Sequence, residues 1–581
     1  MIVTRNSVDL QRVLAVVLDS PRGALRQYAQ VVFPPGTPAT PTRTSVDIRR
    51  LPWTSRLASD YAFAFESVAP FYAGNPADPT AWRDRIAAVH RTVHDRPLLA
   101  NILAAQQARR GAPAESVDAA ANLADPRAVA VVTGQQAGLF GGPLFTLLKA
   151  LTAIELASRV RDDYGVPAVP VFWVNAEDHD WNEVKTCSLL DGDVQLVSVA
   201  LDDPDGSNEC AINELALDAS APRAIEALEA LLPAAESTPW LLNRLRRAYA
   251  PGRPMSDGFA RWLEDLLGSS GLVVYDASDP AAKPLVAGLF EAEFASADRT
   301  SRLAARAGLE LKQLGYHAQV SPMQDSVALF HLAGARTACR LDGDDVITGA
   351  LRESRAAMAD RARLAPEEFS PNVLLRPLVQ DTIFPTVCYV AGPGELGYLG
   401  QLKAIYESFG MVMPLIQPRA SVTLLDANAA RFLARHEVPL ASLRAQDEAA
   451  LNTLLGAHLP AGVESAVAEA ARTLAERMSA VASAVTAIDP TLEGATHSAL
   501  GRMQDDIKKL QGKILQAAKR KDETLRRQFT RAQAQAFPGG HPQERAIGFV
   551  SFLNRVGPTL IDRLRNDLPL TEFGQHSLLT L

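Results

Sequence analysis

The stretch AVAVVTGQQAGLFGGPLFTLLKALTAIELA, residues 128–157, decides the fold. Ala128–Val132 is a short apolar run, Gly134–Gly142 is a glycine-rich turn, and Leu144, Leu147, Leu148, Leu151 and Ile154 recur at helical spacing. Strand, turn and helix follow in that order. The helix should stop near Gly165, after which Pro167 and Pro170 lead into a second buried run, Val171–Val174, that ends in AEDHD. A strand–helix–strand crossover of this length implies parallel pairing.

Working outward, the apolar runs Leu272–Tyr275, Thr386–Val390 and Met411–Ile416 read as further strands of the same sheet, each beside a helical segment. The expected architecture is a doubly wound α/β sheet. Two stretches, roughly 190–265 and 290–375, fit the alternation poorly and read as insertions; in the second, GYHAQVSPMQDSVALFHL and RTACRL suggest a short antiparallel element. From Ala441 the character changes to long Ala-rich charged helices with a break at Asp489 and Pro490. Leu500, Met503, Ile507, Leu510, Ile514 and Ala517 alternate three and four apart, an a/d seam, and Val463, Val467, Leu474, Met478, Val481 and Val485 form a looser stripe. An antiparallel helical hairpin is expected, with seam left over for a second subunit and a solvated basic face from Lys508 to Arg527. The domain reading is a core over 1–435, a helical coiled-coil domain over 436–540, and a segment 541–581 packing back on the core.

Bulk properties narrow the class. A chain of 581 residues exceeds what one hydrophobic core organises, and 47% hydrophobic with 21% charged residues is ordinary for a folded protein. The net charge of -8 gives no whole-protein footprint for nucleic acid. Cys187, Cys210, Cys339 and Cys388 make no C-x-x-C pair, which points to reduced thiols rather than a zinc ribbon or disulfide framework. Arg12 and Asp19 interrupt the N-terminal apolar stretch, disfavouring a signal peptide, and no run approaches the ~18 apolar residues of a membrane span. A cytoplasmic protein with neither nucleic acid nor membrane as partner is expected.

Two segments carry chemistry. In TGQQAGLFGGP the chain leaves a strand and enters a helix, so free N–H groups and the helix dipole should converge on an anion; Thr133, Gly134, Gln135, Gln136 and Gly138 are the candidate binding residues. Glu177, Asp178, His179 and Asp180 stand at the carboxyl end of the next strand, where open α/β sheets bind ligands, and suit acid/base work or metal ligation. AGPGELGYLGQLK matches G-x-G-x-x-G, but the following strand runs into Gln417, Pro418 and Arg419 without the acidic residue that a dinucleotide site wants. Gly394 and Glu395 there, with Arg419 and Ser421 of PRASVT, are expected to complete the pocket.

These segments together, with RPLVQDTIFPTVCYV and the late FPGGHPQERAIGFVSFLNRVG, resemble the BshC family, the cysteine-adding enzymes of bacillithiol biosynthesis, in order from about 125 to 560. The resemblance implies a Rossmann-like core with connecting insertions and a coiled-coil domain that mediates homodimerisation. It also implies the reaction, acylation of the amine of glucosaminyl-malate by L-cysteine. A free carboxylate does not acylate an amine readily at neutral pH, so activation, most simply by ATP, is expected, and no metal. The layout is similar to that of class I aminoacyl-tRNA synthetases, with TGQQAG and PRASVT standing where their HxGH and KMSKS signatures would be. On that basis Gln135, Gln136 and Arg419 contact phosphate or malate carboxylates, and Asp178 or His179 orients or deprotonates the amine. Two alternatives compete: a metal-dependent amide hydrolase ligated by Glu177, His179 and Asp180, and a non-catalytic coiled-coil scaffold.

Overall fold

A computed structural model describes residues 43–296, 298–457, 462–521 and 523–581; the N-terminal stretch read against a signal peptide lies outside them. Five strands, β1 (Val129–Gln135), β2 (Ala168–Val174), β3 (Val273–Asp276), β4 (Thr386–Ala391) and β5 (Leu415–Pro418), form one sheet in the order β5-β4-β1-β2-β3. Every pairing is parallel. The helix α1 (Leu144–Tyr164) crosses from β1 to β2 and closes on Gly165 in the left-handed conformation, φ 65°. Side chains alternate as a two-faced sheet requires: Ala130, Val132, Val171 and Trp173 enter one core, and Val129 and Val131 join Ala153, Ala157 and Val160 of α1 in another.

The strand order fixes where a ligand can sit. From β1 the chain winds outward through β2 and β3, then returns to the other flank of β1 to lay down β4 and β5. This reversal opens a crevice at the carboxyl ends of β1 and β4, because the connections leaving them diverge to opposite sides.

The insertion between β2 and β3 holds a ribbon, Thr186–Leu190 with Leu196–Ala200, and the helices Ser220–Leu231, Thr238–Ala248 and Met255–Leu267. The one between β3 and β4 is larger than the short element expected. Its antiparallel sheet has five strands, Ser326–Ala333, Ala335–Asp342, Asp345–Thr348, Leu351–Ser354 and Phe369–Pro371. The last three span only three or four residues, too few to show a period.

A third sheet ties the ends of the chain to the core: Gln575–Thr580 lies between Arg43–Asp47, antiparallel, and Val422–Leu425, parallel. The C-terminal helices are α2 (Val463–Val485), α3 (Leu492–Lys521) and α4 (Glu523–Ala536), with the expected break at Asp489 and Pro490 between the first two. Lys508 and Lys509 pair with Asp505 and Asp506 on an exposed face, while Val481, Met503 and Leu510 are exposed apolar side chains. All four cysteines are free, and among the described residues no helix is long and apolar enough to cross a membrane.

Candidate active site

A cavity of about 330 Å3 occupies the crevice between β1 and β4. Gly134, Gln135 and Gln136 line it from the end of β1, and Gly392, Gly394 and Glu395 from the turn after β4. Gly134 is required by close approach, since a Cβ there would stand 2.8 Å from the Trp173 carbonyl oxygen of β2. Lys149 reaches the cavity from the second turn of α1, donating to the Gly134 carbonyl at 2.9 Å and the Gln135 Oε1 at 3.2 Å and pairing with Glu395. Glu395 also accepts from the Gly392 N–H at 2.6 Å and the Tyr389 hydroxyl at 3.0 Å. Burial pushes its carboxyl up, but Lys149 and the Gly392 N–H outweigh that and hold it below the ordinary range.

Two cations stand differently. Arg376, the first residue of the helix Arg376–Ile383, donates to the Tyr398 hydroxyl at 2.9 Å and forms no ion pair among the described residues. Arg545 lies 5.8 Å above the Phe145 ring and likewise has no carboxylate partner among them. Glu395 in the same wall favours the charged form of Arg376, and Arg545 is exposed; with neither guanidinium closed off by a salt bridge among the described residues, both can offer N–H groups to an anionic ligand.

Beside the cavity, Asn175 donates to the Gln136 Oε1 at 3.2 Å, and the Gln136 amide donates in turn to Asp178. The network orients Gln136. Burial pushes the Asp178 carboxyl up, yet Gln136, Arg336 and the His179 N–H hold it below its usual value. Arg336, from Ala335–Asp342 of the inserted sheet, donates to His179 Nδ1 at 3.1 Å. The same Nδ1 stands 3.3 Å from the Asp178 carboxylate. His179 is held between Asp178 and Arg336, beside the cavity rather than in its wall. At the rim, Glu183 has its carboxyl raised by burial and by the Asp180 and Asp178 carboxylates.

Several expected residues stand elsewhere. Thr133 is fully buried and donates to the Val390 carbonyl at 2.9 Å, bolting β1 to β4. The turn after β1 does not present the start of α1 to a ligand. The Leu144 N–H donates to the Ile547 carbonyl at 2.8 Å, the Gly141 N–H to the Tyr249 hydroxyl at 3.1 Å, and a Cβ on Gly141 would strike the Phe549 ring. Gly138 lies in that packed turn, its Cβ position 3.0 Å from the Gly142 Cα, outside the cavity wall. Glu177 is buried in an ion pair with Lys283, and Asp180 caps Trp181–Val184 by accepting from the Glu183 N–H at 3.0 Å. The ligand set of the metal-hydrolase alternative is therefore dispersed, and among the described residues no three His, Cys, Asp or Glu side chains group to hold an ion. Gly394 and Arg419 line the cavity, whereas Ser421 donates to Glu544 at 2.9 Å and touches His576 behind it.

The sequence reading missed Lys149, Arg376, Tyr389, Tyr398, Asn175, Glu183, Gln319 and Arg545. Only Lys149 left a signal, as the sole charge between Leu144 and Ile154 in an otherwise apolar helix.

Residues 44–420 match the family model "Bacillithiol biosynthesis BshC, N-terminal Rossmann-like domain", and residues 422–581 match "Bacillithiol biosynthesis BshC, C-terminal coiled-coil domain". Proteins named "Putative cysteine ligase BshC" are similar over nearly their whole length. The one from Salinibacter ruber is 34% identical over 89% of this chain and 95% of its own. The one from Symbiobacterium thermophilum is 32% identical over 84% and 90%, and that from Koribacter versatilis 31% over 89% and 96%. The match spans both the sheet that builds the cavity and the helices that follow it, and the chain belongs to the BshC family of bacillithiol biosynthesis.

Proposed function

We propose that the chain joins the carboxyl group of L-cysteine to the amine of glucosaminyl-malate, forming bacillithiol. The observation that carries this reading is the pair of guanidiniums, Arg376 and Arg545, that face the switch-point cavity and form no salt bridge among the described residues. A malate moiety brings two carboxylates to such a pair, and the amide groups of Gln135 and Gln136 suit the sugar hydroxyls.

The bond changes set what the residues must do. A C–N bond forms, the carboxyl C–O bond breaks with its oxygen leaving on a phosphoryl group, and the amine loses one proton. A nucleoside triphosphate, when bound, supplies that leaving group. Glu183, with its raised carboxyl at the rim, is placed to accept the proton. Asp178 acts through Gln136 and is a positioning residue. Purified protein given L-cysteine, glucosaminyl-malate and ATP is expected to yield bacillithiol by mass spectrometry only when all three are present; no product from the complete mixture overturns the reading.

The partner we propose for α2 and α3 is a second copy of the chain, covering Val481, Met503 and Leu510. Light scattering should give twice the 62.4 kDa chain mass, and a Met503→Asp, Leu510→Asp variant the chain mass itself. A wild-type monomer at micromolar concentration would exclude the dimer. The reading places the protein in the cytoplasm, with its small-molecule substrates.

A further inference from the structure

The acidic end of β2 receives both insertions. The Asp178 carbonyl accepts from the Ile212 N–H at 2.7 Å and the Ala176 carbonyl from the Asn213 N–H at 3.1 Å, so the first insertion lies along this backbone. The second insertion arrives on the side chains. Lys283 pairs with Glu177 and donates to the Phe369 carbonyl at 2.7 Å, while Arg336 donates through Nε to the Ser370 hydroxyl and through Nη2 to the Pro371 carbonyl, both at 3.1 Å.

Arg336 reaches further than that staple requires. Its side chain is 8% exposed, its guanidinium carbon lies 3.8 Å from the centre of the Phe330 ring, and its last nitrogen, Nη1, stands 3.5 Å from Asp178 Oδ1. Asp178 in turn divides its two oxygens. Oδ1 faces Arg336 and accepts from the His179 N–H at 2.8 Å, whereas Oδ2 accepts from the Gln136 amide and, at 3.4 Å, from the Asn175 amide. Gln136 and Asn175 line the switch-point cavity, and Arg336 and Asp178 stand behind them. An ionised carboxylate only accepts hydrogen bonds, so Asp178 selects the nitrogen end of the Gln136 amide and thereby fixes which way that amide is turned.

We infer that Arg336 is a positioning residue of the ligation site: through Asp178 it fixes the Gln136 amide, so that the inserted sheet sets how the cavity receives the sugar of its substrate. A contact that only fastened the inserted sheet to the core would be complete with Ser370 and Pro371. It would not need a carboxylate whose other oxygen holds a residue of the cavity wall. The inference rests on the cysteine-ligation reading, in which Gln136 meets the sugar hydroxyls of glucosaminyl-malate, but the two can fail separately.

The test is calorimetric titration of the full chain with glucosaminyl-malate, and with L-malate as a probe of the guanidinium contacts alone, in wild type, Arg336→Met, Arg336→Lys, Asp178→Asn and the Arg336→Met, Asp178→Asn double variant. In Asp178→Asn the new amide oxygen is claimed by Arg336, which turns the amide nitrogen toward Gln136 and forces it to flip. Arg336→Met and Asp178→Asn should each weaken glucosaminyl-malate binding about three- to tenfold, the loss of one neutral hydrogen bond, and leave L-malate within about twofold. The double variant should bind no more weakly than the worse single one, because both changes act on one amide. Arg336→Lys keeps the cation without the fork and should recover part of the loss. In turnover, KM for glucosaminyl-malate should rise while KM for cysteine stays. Asp178→Asn leaves the contacts to Ser370 and Pro371 in place, so it reads the coupling even where Arg336→Met does not fold. The inference falls if Asp178→Asn or a folded Arg336→Met binds glucosaminyl-malate as wild type does, if L-malate weakens in parallel, or if the two losses multiply. Wild type that takes up no glucosaminyl-malate at millimolar concentration would overturn the ligation reading and this inference with it, whereas wild-type binding that the variants share overturns this inference alone.

Discussion

Replacing Arg376 by methionine is expected to lower kcat/KM for glucosaminyl-malate by roughly two orders of magnitude, with a smaller cost in stability. A charge-assisted hydrogen bond to a carboxylate contributes about 1.5–3 kcal/mol, and a bidentate guanidinium contact sits at or above the top of that range. Loss of about 3 kcal/mol corresponds to somewhat over a hundredfold. Stability should fall by less, about 1–2 kcal/mol, because Arg376 has no salt bridge among the described residues but hydrogen-bonds the Tyr398 and Tyr389 hydroxyls beside Glu395. Arg376→Lys tests geometry against charge: it keeps the cation but loses the planar fork, and should recover only part of the loss. Steady-state kinetics against varied glucosaminyl-malate at saturating cysteine and ATP decide the matter. A change under threefold in Arg376→Met would remove Arg376 from the binding machinery.

Much of the frame was legible before any coordinates. The strand, turn and helix of residues 128–164 and the polar end of β2 follow from local pattern, since strand and helix periods are properties of contiguous residues. The crevice could be placed from chain order alone, because ligands of open α/β sheets gather where the winding reverses. What was hidden is what depends on distant chain. Arg376 meets Tyr398 and Glu395 only through the packing of two helices, and Arg545 arrives from the C-terminal segment more than a hundred residues after β5. Nothing in their own neighbourhoods marks them. Glycine misled in the opposite direction. Gly141 in TGQQAGLFGGP is there for the Phe549 and Trp262 rings, and the start of α1 that it precedes is closed by Ile547 rather than open to an anion. All the carboxylates of AEDHD were candidate site residues, with at most two or three expected to share a pocket; in the fold Glu177 is neutralised by Lys283, Asp180 caps a helix, and Asp178 alone reaches toward Gln136.

The contribution of the C-terminal segment gives the second large effect. Glu544→Gln is expected to destabilise the protein by about 3–5 kcal/mol near neutral pH, the cost of leaving a buried cation without its partner. Glu544 is 6% exposed and holds Arg419 in a fork, at 2.8 and 3.1 Å, while accepting from the Ser421 hydroxyl at 2.9 Å and the Val422 N–H at 3.1 Å. Burial pushes its carboxyl up, but Arg419 and these donors prevail and bring it down to about 2 from an ordinary 4.5. A carboxyl depressed in the folded state stabilises fully above its unfolded value, and the contribution drains away as pH falls from about 4.5 toward 2. A shift of that size corresponds to about 3 kcal/mol. Wild type and Glu544→Gln should therefore differ in urea midpoint at pH 7 and converge only as pH falls through about 2, since the protonated acid and the amide then offer Arg419 much the same partner. A gap that persists unchanged at low pH would mean that the ion pair is not its source. Because Arg419 also lines the switch-point cavity, loosening it from Glu544 should weaken anion binding there. A residue 125 positions downstream thus sets the geometry of a cation at the mouth of β5, and the C-terminal segment is a working part of the site that the sheet begins.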